Sequence, residues 1–314
     1  MISQANNPWA EPFRAIAASG VELCELEMIS PIFDLKGHQS NQDNNGSKLP
    51  PGRLLILSPP RSGSYYLCRR LWLDGLGMPL EYLNSLHLKA MAKRLRLPLQ
   101  PCRWRDRPSD RLEQTLSQIS SLRSCNGWFA LKLQPSQLQP WCRNKDTPID
   151  LLGTVFADWT VIPLLRRDWF RQLASLIISR ASGAYDLGLN FSWCDGAGGE
   201  LLTPRRLSQA RRQLEQDLKP IITWLGKHPE CEPLWMEELL AWDQGRYADG
   251  MLRRLPDLDN DGHQQLRLKL GRIPLQRRED PFATAKSSLN KRLAKQLRQL
   301  EDAQPPEAIS ALLD

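Results

Sequence analysis

The sequence predicts an α/β fold, a three-layer P-loop-like arrangement in which a mostly parallel sheet is flanked by helices. Three observations carry that reading. Short apolar runs, of which Leu54-Leu55-Ile56-Leu57 is the clearest, alternate with stretches of helical spacing. Each run ends in a loop of Pro, Gly, Ser or charged residues rather than in a hairpin turn. With 314 residues, the chain is also long enough to bury a substantial core as one large domain with appendages.

Taken in order, residues 1–35 carry a short amphipathic pattern around 13–26, and 36–52 are polar and turn-rich, a linker or loop. A first strand is expected over 53–58 and a helix over 62–74, stopped by Gly75 and Gly77. The loop 78–83 follows, then a polar helical segment over 87–123 with basic residues at 89–96 and 103–111. Further strands are expected at 128–133 and 161–165. Helical spacing over 168–179 puts Phe170, Leu173, Ala174 and Ile177 on one face. Residues 183–199 read as a loop. Thr203 caps a helix with Pro204 at its first position, running towards Trp224 with a break expected at Pro220. A fourth strand over 233–237, a helix to about 255, a loop-rich stretch over 256–281 and a basic helix over 283–300 complete the chain. The organisation is an extension and linker (1–52), a main domain (53–282) and a C-terminal helix with tail (283–314).

Composition narrows the function classes. Hydrophobic content of 41% and charge of 25% are those of a soluble protein, and no apolar run approaches a membrane span. Glu11, Glu22, Glu25 and Glu27 interrupt the N-terminal region, which reads against a signal peptide. Seven scattered cysteines give neither a disulfide framework nor a metal spacing, and the four histidines lie far apart. A reduced, cytoplasmic, metal-free protein is expected. The net charge of +7 is spread along the chain, a pattern that favours an anionic small ligand over a nucleic-acid track. Eleven Trp against seven Phe and five Tyr is unusual, and core filling is its ordinary explanation.

The chemistry concentrates at Ser58-Pro59-Pro60-Arg61-Ser62-Gly63-Ser64, between the first strand and its helix. A tight loop leading into a helix presents N–H groups to an anion, and here Arg61, Ser62 and Ser64 add a guanidinium and two hydroxyls. The Gly-Lys-Ser/Thr ending of an NTPase loop is missing. A second group, Arg166-Arg167-Asp168 with Ser175, leaves the third strand at the same edge of the sheet, where ligands of open α/β folds collect.

In order and spacing these pieces resemble the bacterial sulfotransferase family of the trehalose 2-sulfotransferase type. The loop Pro60-Arg61-Ser62-Gly63-Ser64 matches the family's x-Arg-Ser-Gly-Ser, and Gly77-Met78-Pro79-Leu80-Glu81-Tyr82 its Pro-x-Glu-aromatic element. Ala130-Leu131-Lys132 echoes a Gly-x-Lys strand. The run from Arg166 to Ser175, with Tyr185 beyond it, reproduces Arg-x-Asp-x-x-x-Gln-x-x-Ser. Leu275-Gln276-Arg277-Arg278-Glu279-Asp280 loosely matches a closing loop. The resemblance covers about residues 53–282 and implies transfer of a sulfonate from 3'-phosphoadenylyl sulfate (PAPS) to a hydroxyl. It implies that Arg61, Ser62, Gly63 and Ser64 hold the 5'-phosphosulfate, with Lys132 adding charge. Arg166 and Ser175 would hold the 3'-phosphate, and Gln276 and Arg277 would close the donor site. Glu81 would be the general base. The acceptor would be a sugar, glycoside or other hydroxylated metabolite. Tyr65 stands where the family usually has Thr, so its phenol either replaces that hydroxyl from another angle or the contact is lost. Arg167 stands where Pro is common.

Two rivals and one accessory reading accompany this one. A P-loop phosphotransferase should have a lysine in the loop and an acidic Mg²⁺ ligand on a later strand, and neither is evident. A non-catalytic relative would keep nucleotide binding without turnover. Lys286, Lys291, Arg292, Lys295 and Arg298 on the last helix form a basic face opposite the stripe Leu289, Leu293, Leu297 and Leu300. A solvated face on a packed helix, or a homodimer contact, explains them better than nucleic acid.

Overall fold

The computed structural model describes residues 52–84, 108–124, 127–142, 146–182, 201–255, 266–267, 270–271 and 281–313. The expectations for 1–51, 85–107, 183–200, Tyr185, Gln276 and Arg277 lie outside the described residues.

Four strands form one all-parallel sheet in the order β2-β1-β3-β4: β1 (Gly52–Leu57), β2 (Trp128–Leu133), β3 (Thr160–Leu165) and β4 (Leu234–Trp235). Between them run α1 (Ser64–Leu73), α2 (Pro108–Arg123), α3 (Pro148–Val155), α4 (Trp169–Ser182) and α5 (Pro204–Lys227). After the sheet come α6 (Met236–Ala241), α7 (Gln244–Leu252), α8 (Pro281–Leu297) and α9 (Glu307–Leu313). The expected α/β architecture, with helices on both faces of a parallel sheet, is observed.

Alternation along β1 sorts the two faces. Leu55 and Leu57 belong to a cluster with residues of α2, α3, α4, α5 and α8. Leu54 and Ile56 face the other way, towards Leu67, Cys68 and Leu71 of α1 and Tyr247 and Met251 of α7. Trp72, Trp141, Trp169, Trp224 and Trp235 are all buried, so these five fill the core. Burial pushes the Cys68 thiol up to about 12, which leaves it an inert core group. No helix among the described residues is long and apolar enough to cross a membrane.

Three expected boundaries moved for identifiable reasons. Helix α5 continues through Pro220 to Lys227, because Leu207, Leu214, Leu218, Ile221 and Trp224 bury one face on both sides of the proline. Packing along the whole stripe offsets the missing N–H bond, which costs about 3 kcal/mol in isolation. The fourth strand pairs only at Leu234 and Trp235, since the helix-forming run Met236-Glu237-Glu238-Leu239-Leu240-Ala241 leaves the sheet at once. The helix expected to reach 255 is broken at Trp242, and Asp243 caps its second half by accepting from the Arg246 N–H at 2.8 Å. Helix α3, begun by a Thr147–Asp150 capping box, was not expected.

The C-terminal helix α8 joins the main core through Leu289, Leu293, Ala294 and Leu297, while Leu300 is partly exposed. Lys291, Arg292 and Lys295 face solvent, as the basic-face reading requires, whereas Arg298 is half exposed and donates to both oxygens of Asp168 at 3.1 and 3.0 Å.

Beyond β2 the chain adds a short parallel edge. Leu80 bridges Leu131, and the Lys132 N–H donates to the Leu80 carbonyl at 2.9 Å. Gly77, at φ +84°, brings this edge in so closely that a Cβ would lie 2.9 Å from both the Cβ and the backbone nitrogen of Ala130. Gly77→Ala should therefore lower stability by about 2 kcal/mol or more, combining left-handed strain with a backbone clash. Gly153→Ala, in α3 with nothing within 4 Å, is the matched control and should be neutral to stabilising. Urea denaturation midpoints compare the two; equal midpoints would show that the edge does not depend on Gly77.

Candidate functional site

The strand order switches direction at β1, with β2 on one side and β3 on the other, and the crevice between the carboxyl ends of β1 and β3 is the expected ligand position. The loop 58–63 and the turn 166–168 both open there. The loop is held in a costly shape: Arg61 has φ +63° without being glycine, and Gly63 has φ +84°. Side chains from the β3–α4 segment fix it. Gln172 donates to the Pro60 carbonyl at 2.7 Å, Arg61 Nε donates to Ser175 Oγ at 3.0 Å, and Arg166 Nη1 reaches the Arg61 carbonyl at 3.4 Å. Gln172 and Ser175 are three residues apart, so they share the face of α4 that meets the loop. The spacing of the Arg-x-Asp-x-x-x-Gln-x-x-Ser run thus has a mechanical meaning.

The electrostatics of this crevice favour an anion. Arg166 is only 19% exposed. Burial, with the neighbouring charges of Arg171 and Arg61, lowers its pKa despite Glu237 and Asp168. Ser62 Oγ and Ser58 Oγ are buried without a hydrogen-bond partner, a penalty that an oxyanion in the loop would relieve. Ser64 opens α1, so the helix's first N–H groups face the same crevice.

A second pocket adjoins it through Tyr65, the next residue of α1. Lys132 is 2% exposed and Glu81 6%, and they form a buried ion pair. Glu81 Oε1 also accepts from the Tyr65 hydroxyl at 3.0 Å and Gln134 Nε2 at 3.3 Å. Its Oε2 accepts from Gln137 Nε2 at 2.7 Å and Asn84 Nδ2 at 3.3 Å. The ammonium of Lys132 lies 4.5 Å from the centroid of the Tyr65 ring. Tyr65 is therefore turned to the carboxylate, and Lys132 is committed to Glu81 rather than to the loop. A carboxylate has about four lone-pair positions, so five donors saturate it. Glu81 can take a proton from a hydroxyl only if a neutral partner, Asn84 or Gln134 at 3.3 Å, gives way.

Asp217 supports this pocket from beneath. It is fully buried on α5, and its Oδ1 accepts from the Ser136 N–H at 2.7 Å, at the start of the 3₁₀ turn Pro135–Trp141 that delivers Gln137. Its Oδ2 has no hydrogen-bond partner. Burial, countered by Ser136 and the Lys132 charge, pushes its carboxyl up to about 6.

Of the sequence-predicted residues, Arg61, Ser62, Gly63, Ser64, Arg166 and Ser175 line the crevice, and Glu81, Tyr65 and Lys132 form the adjoining pocket. Sequence reasoning missed Gln172, Gln134, Gln137, Asn84, Asp217 and Glu237. Gln172 stood inside a quoted motif, and the Gln134-x-x-Gln137 pair directly follows a strand at the ligand edge. Among the described residues no group of three or more His, Cys, Asp or Glu side chains gathers around a metal position. No protein-family model matches the chain, and no curated protein matches it.

The Asp217 carboxyl titrates higher in the folded chain than its ordinary 3.8, so its contribution to stability is complete below that value and is lost as pH climbs through about 6. The full difference corresponds to about 3 kcal/mol. Asp217→Asn removes this dependence. Its effect on stability relative to the parent should become more favourable by about 2–3 kcal/mol between pH 4 and pH 8, read from urea unfolding at both. A pH-independent difference would mean that the Asp217 carboxyl titrates alike in the folded and unfolded chain.

Proposed function

We propose that this chain is a sulfotransferase that moves a sulfonate from PAPS to a hydroxyl of a carbohydrate or another hydroxylated metabolite. The observation that supports it best is the Arg61–Ser175 contact, made across 114 residues, with Arg166 beside it. It unites the two motifs on which the family resemblance rests. In this reading Arg61, Ser62, Gly63 and Ser64 surround the 5'-phosphosulfate, and Arg166 meets the 3'-phosphate. The resemblance assigns Gln276 and Arg277 to the same donor.

The acceptor oxygen attacks sulfur in line, the bond from sulfur to the bridging oxygen breaks, and 3'-phosphoadenosine 5'-phosphate leaves. Glu81 takes the hydroxyl proton once the acceptor has displaced Asn84 or Gln134 from its carboxylate. Charge developing on the bridging and equatorial oxygens is met by the α1 N–H groups and Arg61, the kind of donor whose loss costs on the order of 10²–10³ in turnover. The saturated state of Glu81 favours one second reading, a nucleotide-binding relative without turnover. A phosphotransferase fits less well, because the loop itself carries no lysine and Lys132 is already paired to Glu81.

Isothermal titration with 3'-phosphoadenosine 5'-phosphate, against ATP with Mg²⁺, separates these readings. Arg61→Ala and Arg166→Ala should each weaken binding of the bisphosphate by at least about tenfold, as expected for charged hydrogen-bond partners. Glu81→Gln should abolish transfer to any accepted hydroxyl while leaving that affinity within about threefold. Preference for ATP would overturn the reading. Binding without transfer to any acceptor would select the non-catalytic relative.

A further inference from the structure

Glu237 sits beside Arg166, the residue assigned above to the donor's 3'-phosphate, and on the backbone that follows it. The register of β4 on β3 ends at Leu165↔Trp235, and the chain then turns into α6. That turn carries Glu237 over the 166–168 segment. Its Oε2 accepts from the Arg167 N–H at 3.1 Å and its Oε1 from the Asp168 N–H at 3.4 Å, while Arg166 Nε stands 3.8 Å from Oε1. One guanidinium and two convergent backbone N–H groups form the donor set a phosphate monoester would use. A carboxylate holds them here.

The hold is loose. Two of the three distances, 3.4 and 3.8 Å, lie beyond the usual range of about 2.7–3.2 Å, and Glu237 is 40% exposed. By contrast Glu238, next along the chain, has its own partner in Arg167 Nη2 at 2.7 Å, and the Arg167 guanidinium stacks 4.2 Å from the centroid of Trp235. Arg167 is thus drawn away from the crevice, leaving Arg166 as the cation that Glu237 shields. The geometry points to Glu237 as an internal competitor, a carboxylate that occupies the 3'-phosphate subsite and must be displaced by the donor. It is a specificity-determining residue: a group with less charge than a phosphate dianion, or with fewer oxygens, gains less by displacing it. This inference rests on the donor reading above.

The test is titration of the parent and of Glu237→Gln with 3'-phosphoadenosine 5'-phosphate and with adenosine 5'-monophosphate, which lacks the 3'-phosphate. Removing the competing charge should tighten the bisphosphate by about 3- to 10-fold. Adenosine 5'-monophosphate should shift less than about twofold, and Glu238→Gln should leave both unchanged. Thermal melts confirm folding, and Glu237→Ala, which removes the carboxylate altogether, should move the bisphosphate in the same direction. Equal tightening of both nucleotides, or weaker bisphosphate binding in Glu237→Gln and Glu237→Ala, would show that Glu237 orients Arg166 instead and overturns the inference alone. If neither parent nor variants distinguish the two nucleotides, the donor reading falls and the inference with it.

Discussion

A lysine ammonium buried on a strand sets the terms for everything around it. Lys132 stands on β2 opposite Ile56 of β1, and it is shielded from water. A charge in that position costs several kcal/mol unless an anion and further donors surround it. The anion is Glu81, which explains why the chain after α1 must return along the edge of β2 through the tight passage at Gly77. Glu81 then requires donors for its remaining lone pairs, and they come from α1, from residue 84 and from the turn after β2. The turn in turn leans on Asp217. One buried cation thus dictates the path of four segments. Such a pair adds little net stability compared with apolar residues of the same shape. Its effect is positional, fixing a carboxylate at the ligand edge of the sheet.

The crevice next to it has the opposite character. Arg61 and Arg171 both repel Arg166, and the loop keeps Arg61 in a left-handed backbone shape. Contacts from α4 hold the strained loop in place, and an oxyanion there would relieve the like charge. The first turn of α1 borders the two environments, with Ser64 on the cationic side and Tyr65 on the carboxylate side. A positive cradle and a placed carboxylate thus meet at the first turn of one helix, the juxtaposition on which the proposed transfer rests.

Legibility in the sequence followed sequence distance. β1, β2 and β3 were readable to within a residue because strands covered on both faces are continuous apolar runs. The α5 start was readable because Thr203 and Pro204 announce it, and the α1 stop because Gly75 and Gly77 do. Helix α3 has an equally local signal in Thr147, Pro148 and Asp150, but its eight residues make too short a periodic pattern to stand out. The short β4 and the unbroken α5 were decided by packing, which propensity does not encode. In the site, the two motifs that meet were legible as motifs. The ring of donors around Glu81 gathers residues 3 to 56 positions away, and Asp217 and Glu237 reach their partners across 69 to 81, so none of these contacts leaves a local pattern. They are visible only once the sheet has brought its carboxyl ends together.

One packing contact joins the two ends of the crevice. The Cα of Gly63 lies so near the Met236 thioether that an added Cβ would meet Sδ at 2.6 Å, and Met236 is bonded to Glu237. A shift of the loop towards α6 therefore presses on the methionine. Because a thioether side chain is unbranched and yields easily, the joint transmits such movements without breaking the packing. The loop and the start of α6 are therefore packed as one unit, and a side chain larger than hydrogen at position 63 would disturb the segment that seats Glu237.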